Sequence, residues 1–270
     1  APPPSPPEGE IAPSGKSLPK RRLRAPWWEA LFAEDFSRAE ARPKPEDVSR
    51  EANFIQHQLA LPDGAVVLDV GCGHGMYAVE LARRGFGVVG LDLSLFQLAI
   101  AGEYAQEQGQ KLNFLQGDMR EMAFEETFDG LISWNTSFGY FEEDKNIAVA
   151  DRMFHALKPG GMMLLDVINR DYVVANEPCQ RWFSGDACVA MDDPSLDPIT
   201  SRLRVKRSLI LDDGRTREAS FTVRLYSLHE LGRLLHEVGF RICSVSGDPA
   251  TPGAFFGCHS PRILIAAQRP

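Results

Sequence analysis

Val67-Leu68-Asp69-Val70-Gly71-Cys72-Gly73-His74-Gly75 is the stretch that decides the fold of this chain. Ala65 to Leu68 is an apolar, β-branched run suited to the centre of a parallel sheet. The alternate glycines Gly71, Gly73 and Gly75 then remove each β-carbon where a ligand would touch main chain, and a helix is expected from Gly75 onward. Gly87 to Leu91 is a second apolar strand, and it ends on Asp92, the place from which such folds address a ribose diol. Dinucleotide sites use G-x-G-x-x-G, with the third glycine about five positions after the first. Gly75 follows Gly71 by four positions, so the pattern is G-x-G-x-G.

Three more landmarks follow in order: Gly117-Asp118-Met119 after a third strand, Phe128 to Asn135 as a fourth strand with an acidic start, and Leu157-Lys158-Pro159-Gly160-Gly161 ahead of a fifth. Over residues 65–168 the ordered set resembles the class I S-adenosylmethionine (SAM) methyltransferases. The resemblance implies an α/β fold with a doubly wound seven-stranded sheet, SAM as cofactor, and methyl transfer as the activity. It also places the acid that meets the adenine amine at Asp118.

SAM carries no phosphate, so its loop need not be a basic cradle. It presents a carboxylate, an ammonium, a sulfonium, a ribose diol and an adenine. The N–H groups around Gly71 to Gly75, a stretch that includes Cys72 and Gly73, are candidates for the carboxylate. Asp69 suits the ammonium, directly or through water, and capping of the turn's own N–H groups explains it equally well. Asp92 suits the ribose hydroxyls, Leu93 the adenine face, and Asp118 the adenine amine, with Met119 covering the ring. Trp134 and Asn135, at the end of the fourth strand, complete the expected cofactor wall. Cys72 reads as a small buried thiol and His74 as a space-filling residue at the helix start.

The loop Trp134-Asn135-Thr136-Ser137-Phe138-Gly139-Tyr140-Phe141 emerges at the carboxyl edge of the sheet, where reacting groups gather. It combines amide, hydroxyl and aromatic groups. Family members acting on small metabolites carry a similar segment, whereas amide methyltransferases of nucleic acid favour an Asn/Asp-Pro-Pro-Tyr/Phe motif that is absent here. Tyr140 and Asn135 are candidates to orient an acceptor, with Tyr140 the candidate catalytic group and Phe138 a candidate substrate contact. In-line displacement at a sulfonium disperses charge and depends chiefly on alignment, so a base is required only when the acceptor arrives protonated.

A net charge of −8 argues against general affinity for nucleic acid or anionic membrane. The five cysteines form no C-x-x-C pair and read as reduced thiols of a cytoplasmic protein. No apolar run is long enough to span a bilayer, and the proline-rich start is unlike a secretory signal. His229 and His236 lack a third ligand, so no metal site is expected.

Four parts are expected along the chain. Residues 1–24 form a proline-rich tail that cannot bury enough apolar area to order itself. Residues 25–169 carry N-terminal helices and the SAM-binding core. Trp27, Trp28, Leu31, Phe32 and Phe36 fall at helical spacing there and read first as a packing face. In families resembling this one an N-terminal helix closes over the cofactor, which would put Trp28 at the mouth of the substrate pocket. Residues 170–226 read as an antiparallel β insertion before the last core helix, with strands near 187–193, 200–211 and 216–226 and a turn at Asp212-Asp213-Gly214. Residues 227–270 complete the core with one helix and two strands. The expected function is methyl transfer to a small-molecule acceptor at N, O or C. Methylation of protein or RNA, and SAM binding without methylation, are the alternatives. Oligomeric state is not legible.

Overall fold

The structure, a computed structural model, describes residue 31, residues 34–39 and residues 43–270. The expectations for the tail 1–24 and for Trp27, Trp28 and Phe32 lie outside the described residues.

One helical turn (Glu34–Ser37) precedes α1 (Pro45–Leu59), where Pro45 sits in the first turn. The chain then alternates strand and helix: β1 (Val66–Val70), α2 (Met76–Arg83), β2 (Gly87–Asp92), α3 (Leu95–Glu107), β3 (Asn113–Gln116), β4 (Phe128–Ser133), α4 (Glu143–Ala156) and β5 (Leu157–Ile168). Ser94 caps α3, its hydroxyl accepting from the Gln97 N–H at 3.3 Å. Gly85 and Gly109 follow α2 and α3 with positive φ of 93° and 66°, as helix exits require. After α5 (Arg170–Ala175) come β6 (Arg181–Gly185), β7 (Cys188–Asp197), β8 (Arg202–Leu211) and β9 (Thr216–Arg224). The chain closes with α6 (Leu228–Val238), β10 (Arg241–Ser246) and β11 (Arg262–Gln268). A capping box between Ser227 and Glu230 starts α6.

The main sheet has seven strands in the order β10-β11-β5-β4-β1-β2-β3. Strands β1 to β5 run parallel, while β11 is antiparallel to both β5 and β10. Alternate strand residues feed two cores. Leu68, Leu165 and Ile265 pack with Val149, Met153 and Leu235 from α4 and α6. Val67, Leu164 and Leu264 pack with Ile55, Leu59 and Leu81 from α1 and α2. Both faces are therefore covered, as a parallel sheet demands. The order reverses between β1 and β4, and the carboxyl ends of these strands open the crevice in which such folds bind ligands.

Strands β6 to β9 form a second, antiparallel sheet in sequential order. Phe36 and Ala39 pack on it against Cys188, Ala190, Leu209 and Ala219. Gly214, with φ 82°, makes the expected β8–β9 turn. Three differences from the sequence reading stand out. Strand β5 begins at Leu157 rather than 161, because Leu157 pairs with Phe128 across a register shift. Helix α5 and strand β6 were not expected. Arg181 to Gly185 has no alternation of its own, and it is a strand because it pairs with β7 along its whole length. Among the described residues no helix is long and apolar enough to cross a membrane.

Candidate cofactor and acceptor site

The turn after β1 is held by its own backbone. Gly71, Gly73 and Gly75 all have positive φ (75°, 52° and 72°), which side-chain-bearing residues rarely adopt. A β-carbon on Gly75 would lie 2.8 Å from the Ala101 β-carbon, so the glycine also lets α3 approach. The turn's N–H groups are already committed: Gly71 and Cys72 donate to the Leu91 carbonyl, Gly75 to the Cys72 carbonyl, and Gly73 to Asp92 Oδ2 at 2.9 Å. The expectation that the N–H groups around Gly71 to Gly75 would be free to receive a carboxylate is corrected at Gly71, Cys72, Gly73 and Gly75 by this pattern. Gly71, Cys72 and Gly73 shape the wall, and their donors hold the loop together. Ser137 reinforces it, its hydroxyl lying 3.1 Å from the Gly71 carbonyl and 3.0 Å from that of Trp134.

A cavity of about 1030 Å³ opens over this turn. Asp69, Gly71, Cys72, Gly73, Asp92, Leu93, Asp118, Met119, Trp134, Asn135 and Tyr140 all line it, so the structure gathers eleven of the thirteen expected site residues. Phe138 is not among them. It is 1% exposed, packed in the core 5.8 Å from the Tyr226 ring, so a substrate contact at Phe138 is corrected to a core role. Trp28 lies outside the described residues.

The acids of the cofactor end differ in their partners. Asp69 is 3% exposed, and burial, with the charge of Asp92 adding to it, pushes its carboxyl up to about 8. A buried acid in that condition is suited to a cationic ligand. Asp92 is also pushed up by burial, against the hydrogen bonds of Gly73, Leu93 and Ser94 N–H groups that favour its charge. Backbone donors already pair it, Oδ1 accepting from Ser94 N–H at 2.8 Å and Oδ2 from Gly73 N–H at 2.9 Å. Each oxygen retains a lone pair for a hydroxyl. Asp118 is raised by burial, but Arg120 outweighs this through side-chain and backbone hydrogen bonds and its charge, holding the carboxyl below its usual range. Cys72 is pushed far above the usual thiol range by burial and by Asp69 and Asp92, which rules it out as a thiolate nucleophile. His74 faces Ser37, with Nε2 at 2.8 Å from the hydroxyl.

The far end of the cavity is built by the second sheet: Arg181, Trp182, Phe183, Asp192, Arg207 and Phe221 line it. The Tyr140 ring meets that of Phe221 at 6.2 Å between centroids. Behind the loop after β4 lies a network. Arg262 spans Asp166 (2.9 and 2.5 Å) and Glu51 (2.8 Å). Glu51 also accepts from Trp134 Nε1 at 2.7 Å and Tyr77 Oη at 2.6 Å, and Asp166 accepts from the Asn135 N–H at 2.8 Å. Asn135 and Thr136 both have positive φ (54° and 60°), a strained pair that this network holds in place.

The family description "Methyltransferase domain" matches residues 67–161. A protein of Geobacillus sp. (strain WCH70), named as a methyltransferase, is 29% identical over 198 residues, which is 67% of this chain and 76% of that one. The chain spans 33% to 59% of the length of the other curated relatives considered. Among solved structures, the CcbJ methyltransferase from Streptomyces caelestis superposes with a TM-score of 0.73 at 20% identity, covering 89% of this chain and 96% of its own. SAM-bound CalS10 from Micromonospora echinaspora, titled an amino pentose methyltransferase, gives 0.62 at 20% identity over 92% and 98%. Residues 67–161 are a methyltransferase domain, and the fold is that of the class I SAM-dependent methyltransferases.

The donor set of this methyltransferase fits its cofactor: a buried acid for an ammonium, a second acid at the end of β2 for a diol, and Leu93 and Met119 as apolar walls for a ring. Sequence reasoning missed Arg120, the Glu51–Arg262–Asp166 network, and the row Arg181, Asp192 and Arg207. Asp166 carried a usable signal. A carboxylate inside the apolar run Met162 to Ile168 must find a cation, since an isolated buried charge is too costly. Glu51 and Arg262, far apart in sequence, gave none.

Proposed function

We propose that this methyltransferase acts on a small-molecule acceptor held between the loop 134–141 and the face of the antiparallel sheet. The observation that supports this reading is the single cavity that runs from the glycine turn to Phe183, Arg207 and Phe221. A volume of about 1030 Å³ is at the upper end of single-ligand pockets, leaving room for an acceptor beside a cofactor. The net charge of −8 disfavours a polyanionic substrate, and the neighbour titled an amino pentose methyltransferase acts on a small molecule.

When bound, SAM supplies an electrophilic methyl on a sulfonium. The chain's own task is alignment. Asp69 would hold the ammonium, Asp92 the ribose diol and Asp118 the adenine amine, all in the cavity that the loop after β4 also lines. That loop is rigid because Arg262, Asp166 and Ser137 pin it. Tyr140, on the acceptor side, orients the acceptor through its phenol hydroxyl.

The test is incubation with methyl-labelled SAM and a fractionated cell extract, run with the native chain and with Tyr140→Phe. Label is expected in the low-molecular-weight fraction, reduced about 10- to 1000-fold in Tyr140→Phe with SAM affinity unchanged. Label recovered only in protein or RNA would overturn the reading. Full activity in the variant would make Tyr140 a packing residue.

A further inference from the structure

Resting on that reading, we propose that the acceptor is a planar, aromatic or heteroaromatic molecule carrying a carboxylate, which Arg181 receives at the far end of the cavity. The observation is a charge count across three strands. Arg181, Asp192 and Arg207 are direct cross-strand partners on β6, β7 and β8, and all three line the cavity. Asp192 is fully engaged by Arg207, whose Nε and Nη2 both lie 2.7 Å from its two oxygens in a forked pair. Arg181 makes no ion pair or hydrogen bond among the described residues. The row therefore carries one guanidinium more than it has carboxylate to match.

The other acids on the cavity wall do not offset this surplus. Asp47 pairs with Arg50 at 2.7 Å. Glu51 is occupied by Arg262, Tyr77 and Trp134. Asp69, Asp92 and Asp118 belong to the cofactor end. An ammonium-bearing acceptor would find no uncommitted carboxylate beside the second sheet, whereas a carboxylate would find a guanidinium. Arginine's planar fork matches a carboxylate with two parallel hydrogen bonds.

The walls next to this row are flat. Phe183 follows Arg181 by two residues, so it lies on the same face of β6. The Arg207 guanidinium lies 5.5 Å from the Phe183 ring centre and 5.7 Å from that of Phe221, and Tyr140 meets Phe221 at 37° between planes. Ring faces and a guanidinium plane form a slot that favours a flat molecule over a puckered or flexible one.

Titration calorimetry on the full chain saturated with S-adenosylhomocysteine tests the proposal with four probes: 2-naphthoate, its neutral counterpart 2-naphthamide, the cation 2-naphthylmethylammonium, and flexible octanoate. The expected result is that 2-naphthoate binds at least tenfold more tightly than each of the others. Arg181→Gln should reduce 2-naphthoate to the level of 2-naphthamide while S-adenosylhomocysteine affinity holds, and Arg181→Lys should recover part of the difference. Arg181 is exposed at the rim, so these variants fold. Equal binding of acid and amide, preference for the ammonium or octanoate, retention of the preference in Arg181→Gln, or no probe binding would each overturn the proposal. Failure to bind S-adenosylhomocysteine would instead overturn the cofactor reading on which it rests.

Discussion

Asp92 and Asp192 are carboxylates on the wall of one cavity, yet the two sheets hold them in different ways. Asp92, at the end of β2, is fixed by backbone: its oxygens accept from the Gly73 and Ser94 N–H groups. Asp192, on β7, is fixed by the side chain of Arg207. Backbone donors cannot be exchanged by point substitution, whereas a side-chain pair can. The parallel sheet therefore presents a fixed set of groups to an invariant cofactor. The antiparallel sheet presents a changeable set to the far end of the cavity, with no penalty to the glycine turn when it changes.

The same contrast extends to stability, and breaking one arginine on each side gives the largest expected effect. Arg262→Met removes the only cation touching Asp166 among the described residues, and Asp166 is 0% exposed and cannot be rehydrated where it stands. The expected cost is about 3–5 kcal/mol, as for other broken buried pairs. Arg207→Met leaves Asp192 facing the cavity, where water can reach it, so about 1 kcal/mol is expected. Denaturant titration of both variants decides the matter. Equal losses would show that the second sheet is as deeply locked as the first.

The same physical difference governs how much could be read from sequence. The cofactor half is written locally. The glycine turn and the Ser94 cap sit within a few residues of the backbone they act on, and Asp92 accepts from Ser94 N–H two residues on. Elements and roles are therefore visible in a short window, although the bond from Gly73 to Asp92 is not. The central strands β1, β2 and β4 are legible for the same reason, since their apolar runs are buried. The acceptor half is written across strands. Asp192 faces Arg207 only through the β7–β8 register, and β6 exists only because β7 is beside it. Phe138 illustrates the opposite error: an aromatic in a promising loop turned inward, because Gly139 and the Arg224 backbone bring that loop against β9.

A smaller effect tests Asp69, the acid of the cofactor end whose carboxylate has no hydrogen bond or ion pair among the described residues. Burial and the charge of Asp92 raise Asp69 to about 8, whereas an Asp in an unfolded chain titrates near about 3.9. Between these values the folded protein holds a proton that the unfolded chain has lost, so stability without cofactor falls as pH rises through this window. An ammonium requires the ionised form. SAM binding should therefore release a proton below pH 8, and affinity should climb with pH until about 8. Asp69→Asn is expected to flatten that dependence and to weaken binding at pH 8 by about 1.5–3 kcal/mol. Calorimetry in buffers of different ionisation enthalpy counts the protons directly. An unchanged pH profile in Asp69→Asn would assign the residue to capping the turn rather than to the cofactor.

The smallest expected effect lies at the end of β4, one residue before Trp134. Ser133 is 0% exposed, and its hydroxyl has no hydrogen-bond partner among the described residues. Buried hydroxyls without partners are destabilising, while deleting one oxygen leaves only a small void. Ser133→Ala should therefore stabilise the protein by up to about 1 kcal/mol, a rise in Tm of about 2–4 °C at most for a chain of this size. SAM affinity should not move, because the neighbouring loop is pinned from Asp166 and Gly71 rather than from Ser133. A drop in Tm would show that the hydroxyl holds a buried water. The end of β4 would then be as dependent on side-chain partners as the acceptor wall, and the contrast between the two sheets would narrow at the strand that joins cofactor to acceptor.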